Sequence, residues 1–474
     1  MGLFPDDFVV VPAEARDTDS EVVSVALEWA SSDPHVVEAS SLGPRNGRLA
    51  AVAPGEATVT VSAGATSVDI AVSVGAVLEG ENILASAVSS HPWAEEPILA
   101  AGSGGVLYAG WKEGFGNPPG NPARVIFSRS SDGGRSWSVA TPMPTVSDLS
   151  DAEVIRSDPW LVEDRGSLVY SWLEHDDAGR RAVGVARSED GGATWSAPSS
   201  ALAFEGAPDK SVLAGDGAGT LYVIYGLEGD DRESVVVVRS LDDAATWTDP
   251  VRVTEAEGAL FLPMIAALPG GIACAFWGDN SDFPLFGDPY ALMTACSMDG
   301  GVTWEPERVL DVAPDLGPGY QRQGGPHAIT DGVGTFFVAW IADGPNFVVA
   351  RSDDGGRSWS EPVAVNDGPN GLRWQPTLAL ASDGTLHATW YDTRSGDIHV
   401  AYAYSEDGGL TWSRDARVTT GGTPPNLTPV GPPTSEGTRL GDYMGLVATA
   451  DAVVVLFTDW RGVDQDIRSA RIPR

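Results

Sequence analysis

Apolar and polar residues alternate in short runs along nearly the whole chain, and Gly, Pro, Asp and Ser cluster between the runs. No long segment carries a helical period, so the pattern predicts strands joined by turns. Two regimes are visible. From residue 8 to 76, runs such as Ala57-Thr58-Val59-Thr60-Val61 and Val68-Asp69-Ile70-Ala71-Val72-Ser73-Val74 surround turn signals at Asp33-Pro34 and Pro54-Gly55. Strands of that length and spacing predict a small β-sandwich. Residues 1–7 precede it and read as a tail or an added scar.

From residue 77 to 474 the pattern repeats. A glycine is followed six residues later by an aromatic at Gly105/Trp111, Gly166/Trp172, Gly219/Tyr225, Gly271/Trp277, Gly334/Trp340 and Gly384/Trp390. A seventh unit has Asp451 and Phe457 in those places. Independently, an octet Ser-x-Asp-x-Gly-x-(Ser/Thr)-Trp starts at Ser130, Ser188, Ser297, Ser352 and Ser405, and a copy at Ser240 has Ala244 for its glycine. Each unit of about 50 residues reads as four strands, which predicts a β-propeller. Seven units predict seven blades, with six as the alternative. The last unit lacks an outer strand, and residues 81–88 precede the first unit without a partner. That stretch is expected to complete the final blade and remove its open edge.

The octet is the Asp-box, and its recurrence makes residues 77–474 resemble the sialidase superfamily and other Asp-box (BNR-repeat) propellers. The stretch from Trp29 through Asp33-Pro34 to Gly47, Pro54-Gly55 and Val59 makes residues 8–76 resemble the bacterial Ig-like group 2 domain. The second resemblance implies a spacer or adhesive module on a bacterial surface. The first implies that the octet aspartates are structural and lie opposite any active site. It is specific for fold and not for chemistry, because one superfold hosts many activities.

Composition narrows the field. There are 66 Asp+Glu against 29 Lys+Arg, a formal charge of -37, and two lysines, Lys112 and Lys210. A polyanion repels phosphate backbones, so nucleic acid is excluded as a partner. No apolar run has the length of a membrane helix. Cys274 and Cys296 make neither a disulfide scaffold nor a zinc site. Two buried free thiols is the simpler reading of them, and a cross-strand disulfide the other. The first residues have no basic and apolar signal pattern, and the native leader is expected to be absent.

In a propeller, inner strands start and second strands end on one face, so residues far apart in sequence converge there. Glu96, Asp158, Asp209 and Asp442 stand at inner-strand starts of four consecutive blades. Such an arc supplies oxygen ligands for Ca²⁺, or raises one carboxyl pKa for acid catalysis. No cofactor is required. Asp158, Glu96 and Tyr443 are the catalytic candidates. Arg322, Arg373 and Arg439 recur just before inner strands, where forked cations suit a carboxylate or sulfate on a sugar. Trp374 is expected to stack on a sugar ring. Residues after the second strands, among them Lys112, Glu113, Glu174, His175 and Asp392, are further rim candidates. His327 is also expected to face the rim.

Sialidases place their first substrate arginine in an Arg-Ile-Pro motif on the first inner strand. Here that place reads Glu95-Glu96-Pro97, and Arg471-Ile472-Pro473 lies at the end of the chain. The expected function is recognition of a glycan or glycoconjugate by an extracellular or cell-surface propeller, extending to sialidase-like glycoside hydrolysis. The alternative is a non-catalytic adhesin or assembly component that contacts a surface protein.

Overall fold

The structure is a computed structural model. It describes all residues but 17–19, 21, 24, 79–81, 87–92, 115–122, 147–153, 177–178, 203–205, 229–232, 257–259, 280–289, 314–324, 343–345, 369, 425–439 and 463. The architecture is all-β: an N-terminal Ig-like sandwich followed by a seven-bladed propeller. Among the described residues no helix is long and apolar enough to cross a membrane.

The sandwich packs Glu28–Ser31, Gly55–Ala63 and Thr66–Val74 against a second sheet of Phe8–Pro12, Val37–Ser41 and Asn46–Ala51. Alternation puts Val37, Leu49, Val59 and Val72 inside. Residues 1–7, expected as a tail, belong to the folded body. Gly2–Leu3 pairs in parallel with the end of Thr66–Val74, and Phe4 is fully buried beside Phe347, Leu378 and Trp390 of blades five and six. An apolar ring of that size lowers its free energy by leaving water, so the segment is held there. Asp7 accepts from the Phe4 N–H at 2.8 Å and the Ser395 hydroxyl at 2.6 Å. The expected boundary at 76/77 falls inside a strand: Ala76–Val77 runs parallel to Ala416–Arg417 as the fifth strand of blade six.

Seven sheets of four or five strands form the ring among the described residues. Their inner strands are Ala94–Ala101, Val154–Asp164, Ala207–Gly215, Leu260–Leu268, His327–Thr330, Arg373–Leu380 and Gly445–Ala448. Each touches the next, and the first touches the last. Ile83–Leu84 pairs antiparallel with the outermost strand of blade seven, opposite Ser469 and Arg468. The aromatic that ends the glycine-to-aromatic interval is buried in all seven blades, from Trp111 to Phe457.

The octets build one local machine six times. In blade two the Thr194 hydroxyl, then its backbone N–H at 2.8 Å, hold the Asp190 carboxyl at about 2, while Ser188 Oγ accepts from Gly192 N–H. The fifth position has positive φ throughout, 83° at Gly192 and 67° at Ala244, so the copy without glycine keeps the turn at a steric cost. The octet Trp reaches the preceding blade. Trp195 packs edge-on to Phe127, and Trp137 donates to Ser469 Oγ across the seam between blades one and seven.

Cys274 and Cys296 stand opposite each other on neighbouring strands of blade four and are joined by a disulfide, so the free-thiol reading is corrected. Facing strand positions bring the Cα atoms to 4.1 Å, and burial holds both sulfurs against the octet loop of blade five.

Two outcomes test this fold. A chain starting at residue 91 loses Ile83–Leu84 and is expected to self-associate and melt at least about 5 °C below one starting at residue 79. Light scattering and thermal melting decide, and equal behaviour would contradict closure by that strand. Gly356 has φ +85°, and a Cβ there would overlap both sulfurs of the disulfide. Gly356→Ala is expected to cost about 2 kcal/mol or more in urea unfolding.

Candidate functional site

The ladder between first and second strands is interrupted at the same place in five blades: after Glu95, Ser157, Asp209, Phe261 and Trp374. The next residue is in the left-handed region each time, with φ of 59° at Glu96, 52° at Asp158, 52° at Lys210, 49° at Leu262 and 51° at Gln375. Four of the five are followed by proline, which gives up no ladder donor in a bulge. Bulges re-aim side chains, and left-handed non-glycine residues are costly, of order 1–3 kcal/mol each. Here they bring inner-strand side chains together at the mouth of the central channel. Glu95 lies opposite Lys112, whereas the octet start Ser130 lies opposite Leu107 at the other end of the same sheet. The mouth and the octets therefore occupy opposite faces.

Glu96, Asp158 and Asp442 each bring a carboxylate oxygen within 4.8 Å of the others. Asp158 N–H donates to Glu96 Oε2 at 3.3 Å. Both lysines of the chain converge on this group. Lys112 Nζ lies 2.9 Å from Glu95 and 3.7 Å from Glu96. Lys210 Nζ lies 3.3 Å from Asp158 and 3.8 Å from Asp209, and pairs with Asp442. Burial works to lower both ammonium pKa values, but the carboxylates outweigh it and hold them above the ordinary range. Burial pushes Glu96 up to about 8, against the pull of Lys112 and with the help of Asp158, Glu95 and Asp442. Tyr443 is also pushed up, by burial first and then by the charges of Glu96 and Asp158. Its phenol stays protonated, which suits a hydrogen-bond donor.

Three carboxylates at this spacing have the donor atoms calcium takes. The arrangement does not fit the ion. The Lys210 ammonium already stands between Asp158 and Asp442, and Asp209 is half-exposed, touching the group through Lys210. The donor set is that of an internal ion-pair network.

The sugar-binding candidates fare differently. Arg373 is fully buried; its Nη2 donates to the Gly368 and Asn370 carbonyls at 2.9 Å, and its Nε lies 3.3 Å from Asp392. A guanidinium spent on those partners cannot meet a substrate, so Arg373 is a structural residue. Trp374 is buried too, stacked on Tyr391 at 5.3 Å, and offers no platform for a sugar. Arg322 and Arg439 lie outside the described residues. Glu113, Glu174 and Asp392, expected at the rim, accept from the buried indoles two residues earlier, Trp111, Trp172 and Trp390, at 2.8–3.0 Å. They keep a buried N–H satisfied.

A cavity of about 40 Å³ opens beside the carboxylates, lined in part by Trp160, Leu262, Gly325, His327, Gln375 and Tyr443. The sequence reading did not single out Trp160, Leu262 or Gly325. The signal was present as the residue-then-proline step at inner-strand starts, repeated at Leu262-Pro263 and Gly325-Pro326.

Comparison with known proteins adds the following. The bacterial Ig-like domain (group 2) family matches residues 11–74. No curated protein matches the sequence. Among solved structures, the Hadza microbial sialidase Hz136 is 14% identical, with a TM-score of 0.45 over 91% of this chain and 77% of its own. The Penicillium chrysogenum alpha-L-arabinanase complexed with arabinobiose is 14% identical, with a TM-score of 0.47 over 84% and 98%. The leech intramolecular trans-sialidase is 15% identical, with a TM-score of 0.47 over 78% and 75%. All three scores lie below 0.5, and the blade count rests on the strand pairing of this chain itself.

The raised Glu96 pKa has a sign that can be measured. Folded Glu96 keeps its proton up to about pH 8, while an unfolded Glu releases it near 4.5. Unfolding therefore releases a proton between those values, and stability falls as pH rises through the window. The loss is expected to be on the order of a few kcal/mol, and Glu96→Gln should flatten it. Urea unfolding from pH 5 to 8.5 checks the slope; identical slopes in both proteins would place Glu96 in a different environment.

Proposed function

We propose that this chain is an extracellular or cell-surface propeller of the Asp-box kind that binds a glycan at the channel mouth and cleaves a glycosidic bond there. The supporting observation is the convergence of Glu96, Asp158 and Asp442 at one point. Burial keeps Glu96 protonated near neutrality, while Asp158 and Asp442 face the Lys210 ammonium. A protonated carboxyl beside a second carboxyl is the arrangement glycoside hydrolysis needs. Glu96 donates its proton to the leaving oxygen as its bond to the anomeric carbon breaks and Asp158 bonds to that carbon; a water that gives its proton back to Glu96 then displaces Asp158 and releases the sugar. A spacing below 4.8 Å is on the side of retaining enzymes, whose carboxyls stand about 5–5.5 Å apart.

The substrate follows from charge. Among the described residues, negative groups outnumber positive ones at the mouth and no arginine lines the cavity. A sialate carboxylate would be repelled, so the favoured ligand is an uncharged glycan. The Cys274–Cys296 disulfide fits an oxidising compartment, as does the bacterial Ig-like module.

A second reading has its own support: Glu96 is only 1% exposed, and the lysines already neutralise its neighbours. On that reading the face binds a glycoconjugate or a surface protein without turnover.

A panel of fluorogenic glycosides across pH 4–9, including a sialoside, separates the two. The expected result is hydrolysis of a neutral glycoside with retention, no hydrolysis of the sialoside, and a loss of at least about 100-fold in Glu96→Gln. Glycan binding without turnover would support the second reading. Absence of both would end the glycan assignment.

A further inference from the structure

The channel mouth is lopsided. Corresponding inner-strand positions carry Gln375, Tyr443, Glu96, Asp158 and Lys210 in five consecutive blades of the ring, but Leu262 and Gly325 in blades four and five. The small cavity lies in that sector. Leu262, Gly325 and His327 line it together with Lys210, Gln375 and Tyr443. Gly325, which lines it, contributes no side chain where the other blades contribute one.

Two polar atoms of its lining residues have no hydrogen-bond partner. Gln375 is 3% exposed; its Nε2 donates to Gly441 O at 2.5 Å, but its Oε1 accepts from nothing. The buried Tyr443 hydroxyl also lacks a partner. A buried acceptor and a buried donor at one cavity are each costly until something pairs with them. His327 adds a third polar contact. Its Nδ1 accepts from Leu378 N–H at 3.2 Å, so the neutral ring carries its proton on Nε2. Burial pushes His327 down to about 4, so the ring stays neutral. The cavity has room for about three waters, or a group of two to four heavy atoms. Asp442 and Lys210 both line it as an ion pair, so among the described residues it offers an anion no uncommitted cation.

We propose that this cavity is a specificity pocket for one uncharged exocyclic substituent of the glycan, a hydroxymethyl or acetamido group, whose O–H or N–H donates to Gln375 Oε1 and whose oxygen accepts from the Tyr443 hydroxyl. The assignment rests on reading this face as the glycan site and narrows it. A single group that both donates and accepts satisfies both orphaned atoms. A ring hydrogen, a methyl or a carboxylate does not.

Matched methyl glycosides that differ in one exocyclic group test it by ligand-observed NMR titration: xyloside against glucoside, 6-deoxygalactoside against galactoside, glucoside against N-acetylglucosaminide. The first two pairs report hydroxymethyl and the third acetamido. The substituted member of one kind of pair is expected to bind at least about tenfold tighter. Tyr443→Phe and Gln375→Met should cut that preference to under about twofold. Gly325→Leu, which fills the cavity, should do the same, with thermal melting to verify each fold. Measurable binding with equal affinity within every pair would mean a pocket that holds water only, overturning the proposal while the glycan reading stands. No binding by any probe removes both. The wild-type comparison decides the matter even where a variant fails to fold.

Discussion

A ring of sheets has to close, and closure fixes nearly everything else in this molecule. Each blade pairs its strands internally, so adjacent blades are held mostly by side-chain contacts, with a few backbone bonds such as Ala94 N–H to Gln465 O at 2.9 Å. The octet tryptophans supply that packing from each blade to the one before it, as Trp195 does on Phe127. The seam between blades one and seven needs more, because the chain begins and ends there. It has Trp137 on Ser469 and the added strand Ile83–Leu84. The residues just before that strand form the fifth strand of blade six, and the N-terminal Phe4 is sunk between blades five and six. The Ig-like module is thus continuous with the closing device.

Closure also forces seven equivalent positions toward one axis, at the end of the channel away from the octets. Left-handed bulges aim the side chains there at the cost of backbone strain. The result is a crowd of carboxylates that would be prohibitive without compensation. In a chain that uses arginine almost everywhere else, two lysines meet that need. Lysine suits the place: a compact ammonium on a thin stem reaches several oxygens at once, where a planar guanidinium commits to a fixed fork. Compensation is incomplete, and the shortfall appears as a proton held on Glu96.

Fold was legible because it is written in periods. Glycine-to-aromatic spacing, the octet and the unpartnered stretch at 81–88 each depend on local chemistry that repeats, so counting recovers blades and closure. The convergence of Glu96, Asp158 and Asp442 was legible for the same reason, since inner-strand starts are definable by pattern. Burial was not. Arg373 and Trp374 look like rim residues one and two steps before a bulge, yet the bulge turns Gln375 toward the axis and leaves both of them packed inside. The acids after the second strands were misread because an indole two residues away takes them as acceptors. Such pairs depend on side-chain direction, which composition does not encode. The disulfide was open for a related reason: sequence places Cys274 and Cys296 on neighbouring strands, but only register puts them face to face.

The asymmetry of the mouth has a deeper consequence. A propeller with seven identical bulge residues would have an axial plug and no pocket. Substituting Leu262 and Gly325 in two adjacent blades leaves the other five polar, so apolar and polar side chains meet at the mouth. A sugar has that same division, with hydroxyls at its edges and C–H groups on its faces. The repeat therefore supplies the frame, and departures from the repeat supply the chemistry. Gly325, the smallest departure, leaves the space in which two unpaired polar atoms of Gln375 and Tyr443 can be met.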